Sequence, residues 1–302
     1  MGISVRVGAE LLRLADRTGA PSIVVVGTGK NVGKTVVVRA LCEELTKAGC
    51  SFGLASIGRD GEAFDVAGAQ PKPRLFLRPG TIIATARTLL PAAPAVEVVA
   101  SSLLQSAAGP IVFARIRTPG FFEIAGPPSA AAMRSCIAEL FALGAQRVVI
   151  DGAVDRIAML AGGGDAVIVA TGAANAAGIE EAVDEVRSLV RVLQIPKADP
   201  QRESVFVPGA LTATAANHFV SARESRQIVV RDPTQIALRA NTLACAIEHL
   251  DLRCERPLNV VAVTVASIGG QRYFEPQQFA RKVAGAVRLP VFDAYAASMT
   301  AA

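Results

Sequence analysis

The stretch from Ile23 to Val38, "IVVVGTGKNVGKTVVV", restricts the possible folds of this chain more than any other segment. A β-branched run leads into a glycine-rich turn, and the turn runs on into "VVVRALCEELTKAG", which has the pattern of a helix. Such a turn exposes consecutive backbone N–H groups, and the first turn of the helix adds partial positive charge, so phosphate is the natural guest. Lys34 is placed to reach β- and γ-phosphates, the Thr35 hydroxyl to ligate Mg²⁺, and Gly33 to let the backbone approach closely. The candidate nucleotide contacts are Gly27, Gly29, Lys30, Asn31, Val32, Gly33, Lys34, Thr35 and Val36, and the implied cofactors are ATP and Mg²⁺. The spacing has one unusual feature. Counting back five from Gly33 lands on Thr28, so the loop reads G-x5-G-K-T from Gly27.

The rest of the chain has the alternation that such a loop requires. Runs at 22–27, 52–58, 147–152, 165–172, 259–265 and 289–294 are short, β-branched and apolar on both faces, most with a glycine or carboxylate at the end, as strands covered on both faces are. Between them the pattern predicts helices at 34–48, 128–143, 178–193, 234–250 and 275–287, with a short amphipathic helix within residues 1–20. The expected fold is an α/β three-layer sandwich with a mostly parallel sheet. Pro-Gly breaks in "PRLFLRPGTIIATARTLL" and "GPIVFARIRTPGFFEIAGP" predict a hairpin-rich, antiparallel extension over residues 72–122. The stretch "IPKADPQRES" at 195–204 is taken as a surface loop, which makes residues 1–302 a single domain.

Composition narrows the partners. The formal charge of +5 is spread along the chain, Trp is absent and aromatics make up 5%, which gives little basis for binding nucleic acid. The longest uncharged stretch, 204–222, is broken by Pro208, Gly209, Asn217 and His218, so no membrane span is expected. Five cysteines without a C-x-x-C pair, and no uninterrupted apolar leader, suggest a reducing cytoplasm. With two histidines in the chain, Ser-His or His-metal hydrolysis is disfavoured.

A phosphate loop needs carboxylates to hold magnesium and orient water. Asp151 closes the apolar run "RVVID", and Asp60, Glu62 and Asp65 follow the second strand in "GRDGEAFD", beside Arg59. Lys34, Asp60 and Asp151 are the candidate catalytic residues, with Thr35, Asp60 and Asp151 as magnesium ligands. Arg115, Arg117, Glu123 and Arg156 are read as strand-end or turn residues near the nucleotide edge, able to line a second-ligand or partner surface. Cys245, His249 and Cys254 form C-x3-H-x4-C, a conceivable metal site that lacks an obvious fourth ligand.

The G-x5-GKT loop in its strand-helix context resembles that of dethiobiotin synthetase and the MinD-like ATPases. That synthetase carries a lysine-proline pair after its second strand, where this chain has "SIGRDG". The blocks "LASIGRDGE", "KPRLFLRPGTIIATARTLL", "FFEIAGP", "VVIDGAVDR" and "YFEPQQFARKVAGAVRLPVFDA" resemble the ATPases associated with lysine 5,6-aminomutase and ornithine aminomutase, described as reactivases. The resemblance implies an ATPase that drives release of damaged adenosylcobalamin from a cobalamin-dependent aminomutase partner. It also implies a homodimer, or a heteromer with a paralogous subunit. Where that family is expected to have "NP" after the late strand, as an adenine contact, this chain has "VTVASIGG". Two alternatives stand beside this reading. One is a ligase or phosphotransferase acting on a small carboxylate or carbamate; the other is a non-catalytic nucleotide-binding subunit.

Overall fold

The computed structural model describes residues 7–57, 74–91, 94–152, 160–162 and 164–295. Asp60, its neighbours Arg59, Glu62 and Asp65, and Arg156 lie outside the described residues.

A nine-stranded sheet forms the centre. Its strands are β1 (Ser22–Gly27), β2 (Phe52–Ser56), β4 (Ile82–Ala86), β5 (Val96–Ser106), β6 (Gly109–Ile116), β8 (Arg147–Asp151), β9 (Ala166–Gly172), β13 (Asn259–Ala266) and β16 (Val291–Asp293). They lie in the order β16-β13-β9-β1-β8-β2-β4-β6-β5. From β16 to β4 every pairing is parallel, and only β4-β6 and β6-β5 are antiparallel. A further antiparallel pair joins β3 (Leu75–Leu77) to β7 (Gly120–Phe122), so antiparallel pairing does run through 72–122, but the tight β5-β6 hairpin turns at Ala107-Ala108 and not at a Pro-Gly break.

The continuous apolar runs are explained by layers on both faces. On one face Val24, Val26, Val148, Ile150, Val167, Val169, Val263 and Val265 pack with α3 (Ala130–Ala142), α4 (Ile179–Leu193) and α7 (Pro276–Val287). Alternate residues on the same strands, Ile23, Val25, Val149, Ala166, Ile168 and Ala262, pack with α1 (Val7–Asp16), α2 (Lys34–Lys47) and the β3-β7 pair. Successive side chains of a strand point to opposite faces, so a strand buried on both must be apolar at every position. In β9 all seven residues are buried, and Ala166 to Ala170 meet that demand before Thr171 and Gly172 at the end of the strand.

Residues 195–203 form the mostly exposed loop that the pattern predicts, but the chain beyond it builds more than was expected. It contains β10 (Ser204–Phe206), α5 (Ala213–Ser221), β11 (Gln227–Val230), α6 (Ala240–His249) and β12 (Leu252–Cys254), with the three strands in a separate parallel sheet. Leu211, Ile228, Val230, Leu243, Leu252 and Cys254 close a core of its own. Helix α6 begins six residues later than the pattern predicts, because Asp232 instead caps a 3₁₀ turn at Pro233–Gln235.

Candidate functional site

The position of the site follows from topology. After β1 the chain moves to one side to make β2 and returns with β8; it then crosses to the other side for β9. A crevice opens at the carboxyl ends of strands where the winding reverses in this way, and open α/β sheets bind ligands there. The glycine-rich loop 28–33 fills that position, with β8 on one side of β1 and β9 on the other.

Two residues of the loop are left-handed, Asn31 at φ 57° and Gly33 at φ 89°. Gly33 serves as the N-cap of α2 and has no side chain to satisfy the first amides, so these N–H groups stay available to a ligand. At Gly27 a methyl group would stand 2.7 Å from Val32 Cγ2 and 3.0 Å from Lys34 Cδ, because the loop folds back over the strand end. Strand β9 and the turn after it brace the loop. Thr28 N–H donates to the Ala170 carbonyl at 3.0 Å, the Thr28 and Thr171 hydroxyls are 3.2 Å apart, and the Asn175 amide donates to the Lys30 carbonyl. From β13, the methyl of Ala266 closes on the loop, so that a Cβ at Gly33 would meet it at 3.1 Å.

Lys34, Thr35 and Asp151 come together at the mouth of the loop. Strand β8 holds Asp151 on the α2 face, where the Thr35 hydroxyl and the Lys34 charge both favour its ionised form. Burial outweighs both partners and raises the carboxyl to about 6. The Lys34 ammonium donates to the Gly29 carbonyl at 2.7 Å, which curls the side chain over the cradle. A hydroxyl and a carboxylate are hard oxygen donors of the kind Mg²⁺ prefers, so Thr35 and Asp151 fit as ligands of that ion. Strand β2 adds its end to this edge through Ile57 N–H, which donates to the Asp151 carbonyl at 2.9 Å.

No family model, curated protein or solved structure matches the chain significantly. Any assignment of chemistry therefore rests on the residues themselves.

Several expected site residues lie elsewhere. Strand β6 runs antiparallel, which places Arg115 level with Ile82 at the opening of β4, the edge away from the loop. There Arg115 donates to the Leu143 carbonyl, and exposed Arg117 pairs with Glu97. Glu123 does sit on the loop side, where its carbonyl accepts from the Thr85 hydroxyl. The C-x3-H-x4-C set does not assemble. Cys245 Sγ and His249 Nδ1 are 3.9 Å apart on α6, but Cys254 is buried on β12 with its thiol on the Ile195 carbonyl. Among the described residues no group of three His, Cys, Asp or Glu could hold a metal ion. None of the helices among them is long and apolar enough to cross a membrane.

Sequence reasoning missed the contributions of Thr171, Asn175 and Ala266. The visible signal was "VATGAAN" after an apolar strand, a run of small residues where another backbone can approach closely. Beyond it, the hairpin of β14 (Ile268–Gly269) and β15 (Arg272–Tyr273) occupies the place of the missing "NP". Gly269 packs on Ala174, Arg272 donates to the Ala176 carbonyl, and exposed Ile268 and Tyr273 face each other across the strands.

Proposed function

We propose that this chain binds and hydrolyses ATP with Mg²⁺ at the loop 27–36. The convergence of Lys34, Thr35 and Asp151 at a left-handed, uncapped helix entrance carries the reading. In it the backbone amides of residues 31–35 hold the phosphate oxygens and Lys34 leaves the Gly29 carbonyl for the γ-phosphate. Thr35 and Asp151 hold the metal ion, which would neutralise charge on the β- and γ-oxygens. Asp60 is the proposed third magnesium ligand or water-orienting carboxylate.

The use made of hydrolysis is proposed from the block resemblance. The partner is an adenosylcobalamin-dependent aminomutase, and ATP and ADP would select two conformations of the segment around Asp60, only one of which binds the mutase well. A ligase reading is less favoured, because no lysine follows β2 where a dethiobiotin-type reaction would place one; the position reads "SIGRDG". Steady-state phosphate release tests the proposal. Slow turnover of ATP without a small acceptor, stimulated by a B12-dependent aminomutase, supports it. Turnover that requires a small carboxylate or amine overturns it in favour of the ligase.

A further inference from the structure

We propose that Asn175 is a positioning residue of the phosphate loop, needed because the loop is one residue longer than the common form. The inference rests on the nucleotide reading above and adds to it a residue outside the loop.

The extra residue lies in the span between Gly27 and Gly33, and a longer loop has more ways to point its peptide groups. Asn175 removes that freedom at one peptide. Its side-chain amide donates to the carbonyl of Lys30, and the next residue, Asn31, is held left-handed at φ 57°. A trans peptide is planar, with its carbonyl and N–H pointing in opposite directions. Fixing the Lys30 carbonyl on Asn175 therefore turns the Asn31 N–H away from the 173–178 turn. A residue held left-handed next to right-handed neighbours is how successive N–H groups come to line an anion-binding concavity. Without the amide, the peptide 30–31 can flip, and a carbonyl rather than an N–H would then face a phosphate.

A second observation locks the same pair of segments. A methyl group at Gly29 would stand 2.9 Å from Asn175 Cγ and would run into its amide nitrogen. The backbone at Gly29 has no positive φ, so the contact with Asn175 is what excludes a side chain there. Asn175 itself is exposed, so the amide can be altered without opening the core. Gly29 and Asn175 are thus a matched pair, in which the small residue makes room for the brace.

The test measures ADP affinity by calorimetry in the full-length protein, with Lys34→Ala as the control for the site. Asn175→Ala should weaken binding roughly tenfold, the size of one lost charge-assisted contact, with an unchanged melting temperature. Gly29→Ala should reproduce that loss, and Gly29→Ala with Asn175→Ala should be no weaker than Asn175→Ala alone, because the methyl has nothing left to displace. Asn175→Asp adds a readout that a merely structural residue would not move. An ionised carboxylate cannot donate to the Lys30 carbonyl, but a protonated one can, so its affinity relative to the parent should recover as pH falls toward 4. Additive losses in the double variant, or Asn175→Ala binding ADP like the parent while Lys34→Ala does not, overturn the role of Asn175 and leave the nucleotide reading intact. Failure of the parent protein to bind either ADP or ATP overturns both.

Discussion

Removing the charge of Arg134 should destabilise the fold without touching the loop, and the geometry sets the size of the effect. The Asp165 side chain is 0% exposed at the start of β9, where Arg134 from α3 grips both carboxylate oxygens, at 3.0 Å from Nη1 and 2.5 Å from Nη2. Ser22 donates its hydroxyl to the same carboxylate, and Arg134 Nε reaches the Ala161 carbonyl at 3.2 Å. In Arg134→Met the carboxylate keeps Ser22 as its hydrogen-bond donor. Breaking a buried pair from one side costs roughly 3–5 kcal/mol, and the arginine side chain is 29% exposed, so the lower end of about 3 kcal/mol is expected. A chain of 302 residues unfolds with an entropy of roughly 0.6 kcal/mol/K, so the melting temperature should fall by about 5 °C. Arg134→Met combined with Asp165→Leu removes both charges and should return to within about 1 kcal/mol of the parent, since apolar replacement of a buried pair is often neutral. Scanning calorimetry on the parent and the two variants decides it. A shift under about 2 °C in the single variant, or a double variant as unstable as the single, would refute the claim that desolvation of Asp165 controls this site.

The remaining predictions concern the loop edge and the thiols. Asp151 is raised from an ordinary 3.8 to about 6, so the native state binds its proton more tightly than the unfolded chain does, and stability should fall as pH rises between about 4 and 6. Asp151→Asn should remove that slope and melt higher than the nucleotide-free parent at pH 7.5, by up to about 3 kcal/mol of stability, while losing Mg²⁺-dependent ATP affinity. In the parent, that Mg²⁺-dependent affinity should decline as pH drops through about 6, as titration calorimetry at pH 5.5 and 7.5 would detect. Gly126→Ala should fold poorly or not at all, because its methyl would be driven into the Ser56 backbone, 2.9 Å from the carbonyl carbon; a cooperative melt near that of the parent would contradict it. Burial pushes Cys136 up to about 12 and Cys42 higher still, and Cys254 is enclosed, so iodoacetamide at pH 8 should label Cys50 and Cys245 first, with the others reacting only on unfolding.

Much of the large sheet was legible because burial on both faces leaves a strong trace. "SIVVVG", "RVVID" and "DAVIVATG" are continuous apolar runs, and each became a strand within a residue of its predicted limits. The strands β10, β11 and β12 were not legible, since three or four residues such as "SVF" and "LRC" are too few to establish a period. Local pattern also says nothing about strand direction, which is why Arg115 and Arg117 were assigned to the wrong edge. At the site, Lys34, Thr35 and Asp151 are legible from spacing alone. Asn175 is 140 residues or more from the loop it braces, and only the placement of β9 beside β1 brings it there.

Helix α4 connects the turn that braces the glycine-rich loop to the cores of both sheets. It starts at Ile179, four residues past Asn175, and its last turn puts Val192 in the core of the small sheet and Leu193 in that of the large one. Fifteen residues at 1.5 Å each make a rod of about 22 Å, stiff along its axis. Neighbouring side chains thus serve two separate cores at its far end, so the turn that braces the glycine-rich loop and the packing of both sheets share one rigid element.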